Sequence, residues 1–369
     1  MLATGSVALV AALPAAQAGT ANRGLPGAGP NPIAHMAWAA PRNDGPWSAY
    51  EAATGANRTL LGRLAAQPRA VWLGWSIPPS QVRAAAAQTV ALAQNGNPNV
   101  LTEFATDELY PWAIMMANGF DQPDLNGSWN VRSDETWYRN MAAGIGSARA
   151  LVVEQIDLPF ARRIRSTAPE QIDTYAARVL SAKPHTTVYI DAGTFTWLSP
   201  AQAASLLIRN GIRYARGFSL NDTGYESTSD EDQYGASIVA ALAKQGVRGK
   251  HFIVDTVENG QPYMPRDVGR RKGLNDTPRC HAGVKTPCQR LGIPPTTNVA
   301  SPRWHLSAAA SKDARRYCDG YVWSGQPWDI DGGPFLKKYA LWLAANSKYR
   351  LTTQPTKTQT TTRQTVTSP

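Results

Sequence analysis

The sequence predicts an α/β fold, a distorted and nearly closed parallel β/α barrel of about seven strands. Short apolar runs alternate with helical patterns rich in Ala and Leu, which is the pattern of a parallel sheet. Seven such runs suit a closed or nearly closed barrel better than a small open sheet. The 369 residues, 43% hydrophobic and 17% charged, suffice for one large α/β domain.

Each element is predicted from its own pattern along the chain. The predicted strands cover 70–77, 99–106, 150–158, 186–192, 214–221, 250–256 and 320–324. The predicted helices cover 80–94, 134–148, 168–182, 200–210, 233–246, 306–317 and 334–346. Ser199-Pro200 marks a helix start, with Pro at the first helical position. Segment 257–300, rich in Gly and Pro, has no regular period, and such a loop usually covers a site.

Three strand-like runs end on or run into carboxylates, and these are candidates for acid/base chemistry. Asp157 follows Val152-Val153, Asp191 ends Thr187-Val188-Tyr189-Ile190, and Asp329 and Asp331 follow the last strand. In a parallel barrel the strand ends meet at one mouth, where burial raises the pKa of a carboxyl toward that of a general acid. The alternatives are a capping or ion-paired Asp at 157 or 191, and a solvated acidic turn at 329–331.

Tryptophan is abundant, with 12 in the chain. Some indoles are needed in the core, but flat indole faces are also what sugar rings stack on. The carboxylates together with these rings indicate a sugar as substrate.

The formal net charge of +10 raises the alternative of a nucleic-acid or phosphate ligand. The basic residues are scattered, and the nearest approach to a cluster is Arg266, Arg270, Arg271 and Lys272. No Gly-rich phosphate loop accompanies them. We therefore interpret the charge as general surface charge and expect no nucleic acid as partner.

The termini and cysteines indicate an exported protein. Residues 1–18 combine an apolar run with Ala16-Gln17-Ala18, a small-x-small cleavage pattern, and predict a signal peptide that lacks a basic start. Residues 19–30 read as a flexible leader, and 351–369, rich in Thr, as a disordered tail or linker. We expect secretion, and no membrane association after cleavage.

Cys280 and Cys288 bracket a short loop and predict a disulfide. A zinc site is the alternative, because His281 adjoins Cys280, but few other ligands lie nearby. Cys318 is then the odd cysteine, expected to be buried.

Several motifs in order make the chain similar to glycoside hydrolase family 6, the inverting cellobiohydrolases and β-1,4-endoglucanases. They are Gln155-Ile156-Asp157-Leu158, Tyr189-Ile190-Asp191-Ala192-Gly193 through Trp197-Leu198-Ser199-Pro200, Gly217 to Asn221 with Tyr225, Ile253-Val254-Asp255-Thr256 with Asn259-Gly260, Gly292 to Thr297, and Trp323 with Pro327-Trp328-Asp329-Ile330-Asp331-Gly332. The match runs from about Asn31 to Tyr349, so we expect a catalytic domain at 31–350. It resembles a divergent, actinobacterial-type member.

The resemblance implies a role for each matched residue. Asp157 takes the position of the general acid, Asp191 that of its supporting acid, and Asp331 that of the candidate base. Implied substrate contacts are Trp197, Asn221, Trp323, Trp328 and Asp329, with Trp47 a weaker candidate. The implied reaction is inverting hydrolysis of β-1,4-glucosidic bonds in cellulose or a related β-glucan, with no metal or organic cofactor. A monomer is the default expectation.

Two departures from the family pattern bear on rate and substrate. In the family, a motif at the end of the second strand carries a Tyr that helps distort the sugar ring and an Asp that adjusts the general acid. Residues 102–112 replace that motif here, and Asp107 or Glu108 could substitute for the Asp. Gly325 stands where the family usually has Lys. Two alternatives therefore stay open, a glycan-binding protein that has lost turnover and a hydrolase of a different β-glucan.

Overall fold

The computed structural model describes residues 29–112, 130–155, 167–222, 224–267, 278–329 and 334–351. All seven predicted strands are present within this part of the chain. The strands are β1 (Ala37–Trp38), β2 (Val71–Gly74), β3 (Val100–Asp107), β4 (Ala150–Glu154), β5 (Thr186–Asp191), β6 (Gly217–Leu220), β7 (His251–Asp255) and β8 (Cys318–Val322).

The predicted helices are also present, and they alternate with the strands. The helices are α1 (Gly45–Glu51), α2 (Gly55–Ala65), α3 (Val82–Gln94), α4 (Val131–Ile145), α5 (Ala168–Ser181), α6 (Pro200–Arg209), α7 (Thr228–Lys244), α8 (Ala308–Tyr317) and α9 (Lys337–Ala345). Helix α6 begins at Pro200, with a complete capping box between Ser199 and Gln202. The pattern reading missed β1, α1 and α2.

The strands form a parallel sheet in the order β1–β3–β4–β5–β6–β7–β8, and β2 also pairs with β3. β1 pairs with the first residues of β3, whereas β2 pairs with Phe104–Asp107 at its carboxyl end. Two short strands therefore share one edge of a longer strand. The predicted barrel architecture is confirmed.

The barrel is nearly closed at a seam between β2 and β8. The backbone N–H of Ala70, just before β2, donates to the carbonyl of Trp323, just after β8, at 2.9 Å. The indole Nε1 of Trp72 donates to the carbonyl of Ser324 at 2.6 Å. The start of β2 thus meets the end of β8, and the two strands form no regular ladder.

Alternate strand residues bury on opposite faces of the sheet, as the two-residue period of a strand requires. One face lines the barrel interior with a small cluster that includes Leu151, Val153, Tyr189 and Ile253. The other face packs against the helices in the largest apolar cluster, which includes Phe104, Phe218 and Phe252. A third cluster lies around α2 and α9 and contains Trp323 and Trp328.

An irregularity in β8 places an ion pair inside the barrel near the amino ends of the strands. The register between β7 and β8 shifts at Asp319, since Phe252 pairs with Cys318 but Ile253 pairs with Gly320. The Asp319 carboxylate accepts from Arg216 at 2.8 and 3.0 Å and from the hydroxyl of Tyr189 at 2.7 Å. This bulge therefore places a charge where a regular strand would place an apolar side chain.

Isolated β-bridges connect the long segment after β7 to the rest of the barrel, and a disulfide lies within the segment. Cys280 and Cys288 are bonded, as predicted, and Cys318 is free and buried. A bridge between Gln261 and Cys288 links the disulfide to the chain leaving β7. Among the helices described here, none has the length and apolarity needed to cross a bilayer.

Candidate active site

Carboxyl side chains gather at the end of the barrel where the strands finish. Asp191 ends β5, Asp222 follows β6, and Asp255 ends β7. All three are buried, at 5%, 3% and 1% exposure. Parallel strands deliver their carboxyl ends to one rim, so neighbouring strands hold these acids side by side.

Asp191 is held by the turn that follows its strand. Its Oδ1 accepts from the backbone N–H of Gly193 at 2.8 Å. Gly193 has a φ of +72°, and a Cβ there would lie 2.5 Å from the indole of Trp197. The turn therefore requires glycine both for its backbone conformation and for the close approach of the ring. The bond from Gly193 favours the charged form of Asp191.

Asp222 shares a hydrogen bond with Asp191, so two carboxyls are in contact at the floor of the site. Its other contacts are with hydroxyls: Ser324 donates to Oδ1 at 2.6 Å, and Ser219 donates to Oδ2. Burial raises the pKa of Asp222 to about 6, against the effect of these bonds. Since the hydrogen bond with Asp191 is itself one of the contacts that lower the pKa of Asp222, the two carboxyls share one proton below that pH.

Asp255 extends the same network to the next strand. It accepts from the backbone N–H groups of Val257 at 2.8 Å and Gly325 at 2.5 Å, and it lies 2.9 Å from the hydroxyl of Ser324. Burial, with Asp222 nearby, raises its pKa well above the ordinary value. A Cβ at Gly325 would lie 2.9 Å from Val257 and 3.1 Å from Asp255. The absence of Lys at 325 is thus matched by a turn packed tightly against Asp255.

Asn221 supports this network from within. Its backbone is left-handed, with φ of 68°, and its side chain is fully buried. The amide accepts from the N–H of Glu226 at 3.1 Å and donates to the carbonyl of Asp255 at 3.0 Å. Both ends of the amide are therefore engaged with the backbone, and the structure gives Asn221 a supporting position.

The structure places the predicted tryptophans in two different settings. Trp197 is half-buried over Gly193, and its Nε1 makes no hydrogen bond within the described residues. Trp323 and Trp328 are buried in the cluster around α2 and α9, where Trp323 donates to the carbonyl of Ile293 at 2.9 Å. Their size and apolarity are used in packing, so Trp197 is the ring suited to meet a ligand near Asp191.

Asp329 and Trp47 both lie near Asp44, which forms an ion pair with Arg69 just before β2. Burial raises the pKa of Asp329 to about 6, and the nearby Asp44 adds to this rise. Its Oδ1 is buried and has no hydrogen-bond partner among the residues described. Trp47 is half-buried, with the Arg42 guanidinium 5.2 Å from its ring centroid.

The end of β3 distinguishes the two acids that the sequence left as alternatives. Asp107 pairs in register with Gly74, where a Cβ would overlap the Asp107 carboxyl at 1.3 Å. Burial raises the pKa of Asp107 to about 6. Burial raises the pKa of Glu108 to about 9, and the nearby acids Asp134, Asp107 and Glu154 add to this rise. Asp107 shares the interior face of β3 with Ala105, so it is the acid directed at the barrel mouth.

Asp157 and Asp331 lie outside the described residues. Sequence reasoning missed Asp222 and Ser324 as site residues, and it left Asp107 as one of two alternatives with Glu108. It placed Asp255 in a matching strand without giving it a role. The signal that could have found Asp222 and Asp255 is the one used for Asp191, an acid at the end of an apolar run. Within the described residues, no three His, Cys, Asp or Glu side chains are arranged to hold a metal ion.

The geometry defines a class, parallel β/α-barrel proteins with a carboxylate network at the strand ends. Comparison with known sequences makes this more specific, because the model of Glycosyl hydrolases family 6 matches residues 44–305. The chain belongs to glycoside hydrolase family 6.

Curated relatives carry endoglucanase names. Endoglucanase A of Cellulomonas fimi is 31% identical over 220 residues, covering 58% of this chain and 44% of that protein. Endoglucanase 1 of Streptomyces halstedii is 29% identical over 228 residues, covering 58% of this chain and 65% of that protein. The match thus spans less than two thirds of the length of either relative.

Solved structures share the fold. The endoglucanase Cel6 of Mycobacterium tuberculosis, solved with methyl-cellobiosyl-4-deoxy-4-thio-β-D-cellobioside, has a TM-score of 0.64 at 24% identity. That match covers 86% of this chain and 99% of the other. Cellobiohydrolase II of Humicola insolens has a TM-score of 0.60 at 20% identity, covering 82% of this chain and 88% of the other.

Proposed function

We propose that the chain is a secreted, inverting glycoside hydrolase that cleaves β-1,4-glucosidic bonds in cellulose or a related β-glucan. The observation that carries the proposal is the buried carboxyl pair Asp191–Asp222 at the barrel mouth, in a chain that belongs to this family. The endoglucanase names of the relatives and the thio-oligosaccharide bound to the mycobacterial protein support the substrate class.

In the proposed mechanism, Asp157 is the general acid that gives its proton to the leaving glycosidic oxygen. Water attacks the anomeric carbon from the opposite face, with Asp331 as base, directly or through a second water. Inverting sites keep the two carboxyls roughly 6.5–9.5 Å apart so that this water fits. Asp157 and Asp331 are assigned from the sequence motifs.

Asp191 is proposed to remain charged and to stabilise the positive charge that develops on the sugar ring. The N–H of Gly193 favours that charge. A fixed carboxylate beside the oxocarbenium-like state lowers the barrier without reorganisation during the reaction. Its negative charge also favours the protonated form of Asp157.

The proposed substrate contacts follow from buried polar atoms near the site. Within the described residues, Nε1 of Trp197 and Oδ1 of Asp329 have no hydrogen-bond partner, and both suit a sugar hydroxyl. Trp47 is a weaker candidate at the seam. We propose that Asn221, Trp323 and Trp328 support the site from the core instead of stacking on sugar.

The proposed organisation of the chain follows the sequence pattern. It consists of a signal peptide at 1–18, a leader at 19–30, a catalytic domain at 31–350 and a Thr-rich tail at 351–369. We propose that the domain acts as a monomer.

The test is hydrolysis of cellohexaose by the mature protein and by Asp157→Ala, with product anomers followed by proton NMR. We expect fresh α-anomer from the wild type and a rate lower by about 10²–10⁴ in the variant, the contribution of one general acid. Initial β-anomer would contradict inversion. Turnover only of another β-glucan in a substrate panel would change the assigned substrate.

A second candidate is a glycan-binding protein without turnover. The observation that favours it is the replaced second-strand motif, since residues 102–112 have no match for the Tyr that begins the family's motif. Binding of cellohexaose by both proteins with hydrolysis by neither would select this candidate.

A further inference from the structure

Two large aromatic side chains are exposed together at the rim of the barrel. Trp75 is 40% exposed and Tyr110 is 42% exposed. Their ring centroids lie 6.2 Å apart with an interplanar angle of 21°. Tyr214, at 41%, is the other large hydrophobic side chain of comparable exposure in the described part of the chain. Nearly all other large rings in the described part of the chain are buried or partly buried, so an exposed stacked pair indicates a ligand-binding surface.

The pair lies at the same end of the barrel as the carboxyl network. Trp75 comes directly after β2, and Tyr110 follows β3, whose last residue Asp107 pairs with Gly74. The two rings therefore stand beyond the carboxyl ends of paired strands. Tyr214 differs in this respect, because it precedes β6 and lies at the amino ends of the strands.

The rim is continuous from the network to the pair. Ser324 bonds Asp222 through its hydroxyl, and its carbonyl accepts from the indole of Trp72 at 2.6 Å. Trp72 lies on β2, three residues before Trp75. A bound polysaccharide that extends from the carboxyl network across the seam would therefore pass β2 first and the aromatic pair next.

The chemistry of the pair suits a sugar ring. Aromatic faces cover the C–H faces of a pyranose, and the indole N–H and phenol O–H at the ring edges bond hydroxyls. The Asp107 carboxyl lies against Gly74, the residue next to Trp75, and adds a hydrogen-bonding group at the base of the rim.

We propose that Trp75 and Tyr110 form an outer subsite that holds a glucosyl unit of a bound β-glucan, away from the bond that is cleaved. The subsite rests on the proposed function for the identity of its ligand. It extends binding along the chain and does not take part in the chemical step. Its effect is therefore on the affinity for long oligosaccharides.

The test measures binding apart from turnover, by titration calorimetry in an Asp157→Ala background. Cellohexaose and cellotetraose are compared with and without the double change Trp75→Ala and Tyr110→Ala. We expect the parent to bind cellohexaose more tightly than cellotetraose, and the double change to weaken cellohexaose binding roughly tenfold, as loss of ring contacts implies. Cellotetraose binding should change less than twofold.

Tyr214→Ala is the matched control, since it removes an equally exposed ring at the other end of the barrel and should change neither affinity. Trp75→Phe, which keeps a smaller ring, should fall between parent and double variant. An equal preference for cellohexaose in parent and double variant would overturn the subsite, as would an absence of binding to either sugar. Binding with the expected length dependence but no hydrolysis by wild type would overturn the proposed function alone.

Discussion

At the scale of single residues, the contact between Asp191 and Asp222 decides how charge is arranged in the site. Two buried carboxylates in contact repel, so the pair is most stable when one of them is protonated. Asp191 accepts a backbone N–H from Gly193, whereas Asp222 is bonded to hydroxyls that can turn. The hydrogen bond between the two carboxyls holds one proton that they share, so the pair carries a single negative charge.

Asp222→Ala should lower kcat for cello-oligosaccharide hydrolysis by about 10–100-fold, because a hydrogen bond to a charged group contributes roughly 1.5–3 kcal/mol. Asp222→Asn should recover most of that loss, since its amide N–H can replace the protonated carboxyl as donor. Steady-state kinetics at pH 5 would show this order. If Asp222→Asn were as slow as Asp222→Ala, a hydrogen-bond donor at position 222 would not support the reaction.

The same pair predicts a pH dependence. Burial raises the pKa of Asp222 to about 6, so the wild-type pair loses its shared proton as pH rises through that value. Asp222→Asn keeps a donor at every pH. The ratio of kcat for Asp222→Asn to kcat for wild type should therefore rise between pH 5 and pH 7.5. A ratio that stays constant would contradict the assignment, and Asp232→Asn, a buried acid bonded to Tyr321, serves as control.

At this scale the sequence indicated part of the site. Asp191 was predicted from its place at a strand end, and the structure buries it at the barrel mouth. Its contact with Asp222 could not be predicted from the sequence. The contact depends on the left-handed turn at Asn221 and on Ser324, which follows β8 about a hundred residues further along the chain. Neighbouring strands create that proximity, and one-dimensional patterns do not record it.

At the scale of elements, the bulge in β8 fixes a buried ion pair. Arg216 is 8% exposed, and its charge is compensated by both oxygens of Asp319. Asp319→Asn should destabilise the fold by about 3–5 kcal/mol, because it leaves a buried guanidinium without its counter-charge. Chemical denaturation of wild type and variant would measure the difference.

A matched pair on the surface provides the control. Arg209 and Glu170 are 47% and 27% exposed, so Glu170→Gln should cost about 0–1 kcal/mol. If Asp319→Asn cost no more than Glu170→Gln, the bulge would not depend on the ion pair. Tyr189→Phe should cost an intermediate amount, since it removes one hydrogen bond to the carboxylate.

The elements themselves were largely predictable. Apolar runs located β2 to β8 and helical periods located α3 to α9, because the strands are buried on both faces and the helices on one. The two-residue β1 is too short to show a period, and α1 and α2 have little apolar patterning of their own. The seam could not be predicted either, because single bonds from Ala70 and Trp72 close it.

At the scale of the whole molecule, buried acids should make the fold more stable in acid than in alkali. Burial raises the pKa of Glu103 and Glu154 to about 8, of Glu108 to about 9 and of Asp134 to about 7. In the unfolded chain such groups titrate near ~4. The folded state thus binds more protons than the unfolded state between about pH 4 and pH 9, and stability falls as pH rises across that range.

One buried base opposes this trend. Burial lowers the pKa of Lys250 to about 7, so the unfolded chain binds the extra proton above that pH and stability rises there. His251 and Lys348 have lowered pKa values too, but the acids with raised pKa values are more numerous, and the effect of Lys250 begins only at neutral pH. The acids therefore dominate between pH 5 and pH 8.5.

Thermal unfolding should accordingly occur at a lower temperature at pH 8.5 than at pH 5, by on the order of 10 °C for a domain of this size. Glu154→Gln should reduce that difference, because the neutral amide removes one of the four ionisations while keeping the side-chain size. Glu51→Gln, at an exposed position, should leave the difference unchanged. A melting temperature that rises from pH 5 to pH 8.5 would mean that these carboxyls are charged in the folded protein, with counter-charges that balance them.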